Sequence, residues 1–166
     1  MTDINQTWKP CLKAGEENEE YFLRMMIVID KDIYKKKGYF KEYDFVLPNL
    51  NITIELKRDF KSDNTGNFAF EYECFKKKSG LAYTTADYFV VVDKDNFYFF
   101  EVNDLKTFLR DNWNYIRKVE GGDSNASKMA LVRKNDIVGR KFCCIINKNN
   151  PDLSLLSFYL KQYGKW

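Results

Sequence analysis

Asn51-Ile-Thr-Ile-Glu-Leu-Lys-Arg58 alternates apolar and polar residues along its length. Strand side chains repeat every second residue, so Ile52, Ile54 and Leu56 fall on one face and Thr53, Glu55 and Lys57 on the other. The first face suits a core. The second sets a carboxylate beside an ammonium. Upstream, the run Tyr43-Asp-Phe-Val-Leu47 reads as another strand, and Pro48-Asn49 supplies turn residues between the two. A hairpin built this way predicts that Asp44 returns alongside Glu55 and Lys57.

Two carboxylates and a lysine at one strand end suit a divalent cation and a phosphodiester. Mg²⁺ takes oxygen ligands, commonly one or two carboxylates completed by water and substrate phosphate. Such an ion acidifies water and stabilises charge developing on phosphorus, and a lysine adds to that stabilisation. A plain structural reading stands beside this one: any amphipathic strand can carry Glu and Lys on its wet face as a charge pair.

Composition narrows the chemistry. The 166 residues include no histidine, which removes His-based nucleases, His-containing zinc sites and Ser-His or Cys-His nucleophiles. Cys11, Cys74, Cys143 and Cys144 show no C-x-x-C spacing and read as reduced thiols. Fourteen Phe and eleven Tyr promise an aromatic core in one domain spanning residues 1–166. No apolar run reaches membrane-spanning length, and the polar N-terminus shows no signal peptide, so a cytoplasmic protein is expected. The net charge of +3 is too small to name a partner. Placement says more: Lys35-Lys36-Lys37, Lys57-Arg58 with Lys61, and Lys76-Lys77-Lys78 all lie near the candidate site in sequence. Such clusters contact phosphates, or simply solvate loop edges.

Residues 16–31 predict a helix whose early glutamates complement the helix dipole. Residues 59–67 read as a turn-rich loop and Asn67–Phe75 as a third strand. If that strand pairs with Asn51–Arg58, Glu71 joins the acidic set. Ser79, Thr84 and Thr85 can donate to phosphate oxygens or cap the next turn. Tyr88–Asp93 is apolar enough for a buried central strand. Phe97–Val102 predicts a strand, and residues 104–110 a helix capped by Asn103. Residues 112–120 give no clear pattern. Residues 121–127 read as a connector, 128–133 and 141–147 as strands, and 151–164 as a helix with Leu153, Leu156, Phe158 and Leu160 on its apolar side.

The spacing Asp44…Glu55-Leu56-Lys57 resembles the PD-(D/E)xK nuclease superfamily, with Tyr43 where a proline usually precedes the aspartate. Gly15-Glu16-Glu17-Asn18-Glu19 resembles the G-x-x-x-E opening of archaeal Holliday-junction resolvases. Thr65-Gly66-Asn67, Phe70-Glu71-Tyr72-Glu73, Ser79-Gly80 and Thr84-Thr85-Ala86-Asp87-Tyr88 are similar to a signature of small phage and bacterial members. The resemblance covers about residues 15–95. It implies an α/β fold: a central mixed sheet flanked by helices, with a restriction-endonuclease-like αβββαβ core over about 15–110 and an extension over 111–166.

The resemblance further implies a DNA endonuclease leaving 5′-phosphate and 3′-hydroxyl ends. Asp44 and Glu55 would bind Mg²⁺, with Mn²⁺ substituting, and the Leu56 carbonyl would add a ligand. Lys57 would orient water and stabilise the transition state. Glu19 would contribute from the helix, and Glu71 would be a further metal ligand. Arg58, Lys61, Lys77, Ser79, Thr84 and Thr85 would contact DNA. A structure-selective, homodimeric Holliday-junction resolvase is one expectation. The alternatives are a restriction-type or nicking endonuclease and a non-catalytic nucleic-acid-binding module.

Overall fold

Tyr88-Phe-Val-Val-Val92 carries no side chain suited to water, and in a computed structural model all five residues are buried. The structure describes residues 16–38, 42–59, 61–121 and 126–163. A strand dry on both faces must be covered on both faces. Tyr88, Val90 and Val92 point into one core, and Phe89 and Val91 into another. The fold is mixed α/β, with a six-stranded central sheet between those cores.

The central sheet runs β1 (Tyr34–Lys35), β2 (Phe45–Leu47), β3 (Ile52–Arg58), β6 (Tyr88–Val92), β7 (Asn96–Glu101) and β10 (Cys143–Asn147). The expected hairpin is present, with Phe45 opposite Ile54 and Leu47 opposite Ile52. Neighbours are antiparallel except β3 and β6, which run parallel with Glu55 opposite Phe89 and Lys57 opposite Val91. A parallel pair needs a long crossover. Here it consists of α2 (Ser62–Thr65), β4 (Asn67–Cys74), β5 (Lys77–Lys78) and a 3₁₀ turn over Gly80–Ala82.

The crossover corrects one expectation. Strand 67–74 does not pair with β3. It joins a second sheet in the order β5, β4, β9 (Ser127–Arg133), β8 (Arg117–Gly121). The reason is its aromatic face. Phe68 packs edge-on against Tyr98 and Phe100 at 4.8 and 5.5 Å, and Phe70 against Phe89 at 6.0 Å. Stacking on the face of the central sheet buries these rings, which edge pairing would leave half wet.

Residues 16–26 form helix α1, ending earlier than the sequence suggests, and α5 (Leu153–Tyr163) lies with it against the first core. On α5 the buried residues are Leu156, Tyr159 and Leu160, spaced three and four apart, while Phe158 is 68% exposed. Helix α3 (Val102–Asp111) closes the second core with Leu105 and Leu109. It starts before the expected Asn103 cap. The Glu101 carboxylate accepts from the Asp104 amide instead, at 2.6 Å. The unassigned stretch 112–120 contributes β8, and α4 (Lys134–Ile137) follows β9. Residues 122–125 of the expected connector, the N-terminal lead-in and Gly15 lie outside the described residues. Burial pushes the Cys143 and Cys144 thiols up to about 12 and about 11, so both stay protonated at neutral pH. No helix among the described residues is long and apolar enough to cross a membrane.

A buried polar knot ties the two sheets together. Asp93, just past β6, accepts from Lys134 Nζ at 2.6 Å, Tyr98 Oη at 2.8 Å and the amides of Asn96 and Asp95 at 2.8 and 3.0 Å. Burial alone would raise its pKa, but these donors outweigh burial and hold the carboxyl below its ordinary 3.8. A lowered carboxyl pKa contributes stability above pH 3.8 that is lost as pH falls through the folded-state value. Asp93→Asn is therefore expected to cost about 3 kcal/mol in urea unfolding at pH 7, with Lys134 left without its counter-charge. The difference from wild type should shrink as the pH drops well below 3.8.

Candidate active site

Glu55 sits on the polar-looking face of β3, yet it is only 4% exposed. Its cross-strand neighbour Phe89 explains this, because directly opposed residues share a face and Phe89 belongs to the second core. Glu55 Oε1 accepts from Lys57 Nζ at 2.7 Å. Oε2 is buried with no hydrogen-bond partner among the described residues. Such an atom carries a substantial desolvation penalty unless a ligand satisfies it.

Asp44 immediately precedes β2, where the hairpin ladder ends. Its amide donates to the Ile54 carbonyl at 2.9 Å, and its Oδ2 accepts from the Leu56 amide at 2.8 Å. The side chain thus takes the place of the next ladder residue and is held against β3. Backbone N–H and C=O of one strand residue leave on the same side, so the Leu56 carbonyl also lies on the Asp44 side of β3. On the far side, Asp87 Oδ2 accepts from the Thr53 amide and hydroxyl at 2.8 and 2.9 Å, fixing the start of the β3–β6 pair.

The electrostatics follow from this crowding. Burial is the largest influence on Glu55 and raises its pKa; Lys57 pulls it down, and the Asp44 charge pushes it up again, leaving it above the ordinary 4.5. Burial would lower Lys57, but Glu55, then Asp44 and Glu71, outweigh it and hold the ammonium above 10.5. Three carboxyl groups act on one ammonium, Glu55 in direct contact and Asp44 and Glu71 from further away.

Glu71 therefore reaches the neighbourhood of Lys57, though by a different route from the one expected. It arrives on the second sheet, across from β3 rather than beside it. Ser79 Oγ donates to its Oε1 at 2.5 Å. Gly80 makes this approach possible: its φ is +51°, and a Cβ there would stand 2.7 Å from the Glu71 carbonyl oxygen. Among the described residues, no three His, Cys, Asp or Glu side chains converge closely enough to form a ready-made metal cluster. Asp44, Glu55 and the Leu56 carbonyl are the oxygen donors that could hold a cation here, and Glu71 acts on Lys57 electrostatically.

Other expected residues fall in different places. The Glu19 carboxylate pairs with Lys35 on β1. Thr84 is turned inward, 2% exposed, with its hydroxyl donating to the Glu42 carbonyl and accepting from the Ala86 amide at 3.1 Å. It is a loop tie, which corrects its assignment as a phosphate donor. The Ser79 hydroxyl is likewise committed to Glu71. Arg58, Lys61, Lys77 and Thr85 are exposed.

One neighbour escaped the sequence reading: Asp87, whose place just before an apolar strand lets its side chain close the β3–β6 ladder. Lys36 donates its amide to the Asp44 carbonyl at 2.8 Å and rests over the Tyr43 ring at 4.2 Å. No family model, no curated protein and no solved structure matches this chain.

A raised carboxyl pKa means stability that is present below the unfolded value of 4.5 and lost as pH rises through the folded one. Without added metal, Glu55→Gln should raise the melting temperature by a few degrees at pH 7, with a smaller gain at pH 5. Differential scanning calorimetry at both values checks this. A lower melting temperature at pH 7 would mean that the Lys57 pairing outweighs burial.

Proposed function

We propose that the protein is a metal-dependent nuclease that hydrolyses phosphodiester bonds in DNA. The observation carrying this reading is the buried Oε2 of Glu55, without a hydrogen-bond partner among the described residues and within the electrostatic reach of Asp44. A buried carboxylate left unsatisfied is costly, and a hard divalent cation is the partner that oxygen donors of this kind fit. The β2–β3 hairpin and the parallel β6 suit a restriction-endonuclease-like core, while β4, lying in a second sheet, departs from it.

Asp44 and Glu55 would hold Mg²⁺ or Mn²⁺, with the Leu56 carbonyl completing the protein's share of ligands. When bound, the ion supplies Lewis-acid stabilisation of phosphoryl charge and acidifies water. Lys57 acts as a protonated group, because the carboxylates around it hold its pKa up. It therefore donates hydrogen bonds to phosphoryl oxygens and steadies the charge that grows there, rather than removing a proton. Glu71, fixed by Ser79, adds to the charge that Glu55 and Asp44 set around Lys57. The leaving oxygen takes its proton from solvent.

Labelled four-way junction, linear duplex and single strand, offered with Mg²⁺, Mn²⁺ or EDTA, test the proposal. Cleavage should require metal. Lys57→Ala and Asp44→Asn should each slow it at least about 10²-fold with little change in melting temperature. Symmetric cuts confined to the junction would identify a resolvase, and cleavage of any duplex a general or restriction-type enzyme. Full activity in both variants would sink the assignment, and metal-independent binding without cleavage would favour a non-catalytic module.

A further inference from the structure

Away from Glu55, a cavity of about 760 Å³ opens between the end of α3, the β8–β9 pair and α4. Arg117, Arg133 and Arg140 line it together with Asn112, Asn135 and Tyr115. Strand register brings two of the arginines together. Arg117 stands opposite Leu131, and Arg133 lies two residues further along the same face, a diagonal neighbour across the ladder. The third is held in place: Arg140 Nε donates to the Asp136 carbonyl at 2.8 Å, and its guanidinium lies 4.8 Å above the Phe108 ring.

Ionic balance is what makes the cavity unusual. Among the described residues no carboxylate pairs with Arg117 or Arg133. Asp136 is the one acidic side chain in the lining, against three guanidiniums. Three like charges gathered with one counter-charge repel one another, and an anion relieves that repulsion. Guanidinium geometry selects oxyanions that accept two parallel hydrogen bonds, and phosphate is the common one. Asparagine amides add neutral donors. Tyr115 is 90% exposed beside them, so its ring is open to stack on a planar group. Arginines beside an exposed aromatic ring form the combination that binds unpaired nucleic-acid strands, the cations taking backbone phosphates and the ring a base.

We infer that this cavity binds a nucleic-acid strand, with Arg117, Arg133 and Arg140 on its phosphates and Tyr115 stacked on an unpaired base. The inference shares its ligand with the proposed function but does not need cleavage. The cavity is too roomy for a lone phosphate, which favours a strand over the free ion.

Fluorescence anisotropy with a short labelled single strand, in EDTA and over a salt series, provides the test. Arg117→Gln with Arg133→Gln should weaken binding at least roughly tenfold and flatten the plot of log affinity against log salt by about 0.7 for each arginine removed. Lysine at both positions should restore the slope, and Tyr115→Ala should weaken single strand more than duplex. Unchanged affinity and slope in the glutamine variant, whose melting temperature confirms folding, would overturn the inference. So would competition by inorganic phosphate or a mononucleotide at the same concentration as the oligonucleotide, which would indicate a small-phosphate site. Arginine-dependent binding in a wild type that cleaves nothing would uphold this site while removing the nuclease proposal. Metal-dependent cleavage indifferent to the arginines would do the reverse.

Discussion

A strand with two dry faces cannot lie at a surface, and Tyr88–Val92 imposes that constraint on the whole chain. One face demands the layer made by α1 and α5; the other demands a second sheet and α3. The abundant aromatic residues serve these two interfaces. Phe22, Phe97 and Phe99 fill the first, and Phe68, Phe70, Phe100 and Tyr98 the second. Where the two sheets meet beyond β6, the Asp93 carboxylate is fully satisfied by Lys134, Tyr98 and two backbone amides.

The candidate site is a by-product of the same constraint. Because β3 runs beside β6, the face of β3 that carries Glu55 and Lys57 lies beneath the second sheet. The strand pattern marks that face as wet, but the fold makes it half dry. Burial then acts differently on two residues only one step apart on the same face. Lys57 extends to solvent and stays charged, whereas the shorter Glu55 side chain stays inside with one oxygen unanswered. An amphipathic surface pair would have left both groups wet, whereas here Glu55 is buried and only Lys57 reaches water.

Much of this was legible beforehand where signals were local. Alternation in 51–58, the Pro48-Asn49 turn and the apolar run 88–92 specify the hairpin and the central strand, because period-two burial is written residue by residue. The meeting of Asp44 with Glu55 and Lys57 follows from hairpin register alone. Failures cluster where partners are distant in sequence. Strand 67–74 reads as a strand, but its pairing with β9 joins residues some sixty positions apart, and its rings pack on Phe89, Tyr98 and Phe100. Phe158 and Tyr159 both look apolar enough to face inward, and the helix phase set by Leu156 and Leu160 decides for Tyr159. Residues 112–120 hide β8 because their outer face is polar and aromatic together. That face, with Arg117 on it, gains meaning only when β9 brings Arg133 alongside.

The amino-acid sequence by itself determined which residues form the β2–β3 hairpin, which strand is central and which acidic and basic groups share β3, since each depends on neighbours a few positions apart. Only the tertiary structure decided that Glu55 is buried, that Glu71 approaches from a second sheet and that three arginines line one cavity. Burial and long-range charge depend on which elements are stacked over one another, and that stacking is settled by the summed packing of two cores rather than by any stretch of the chain.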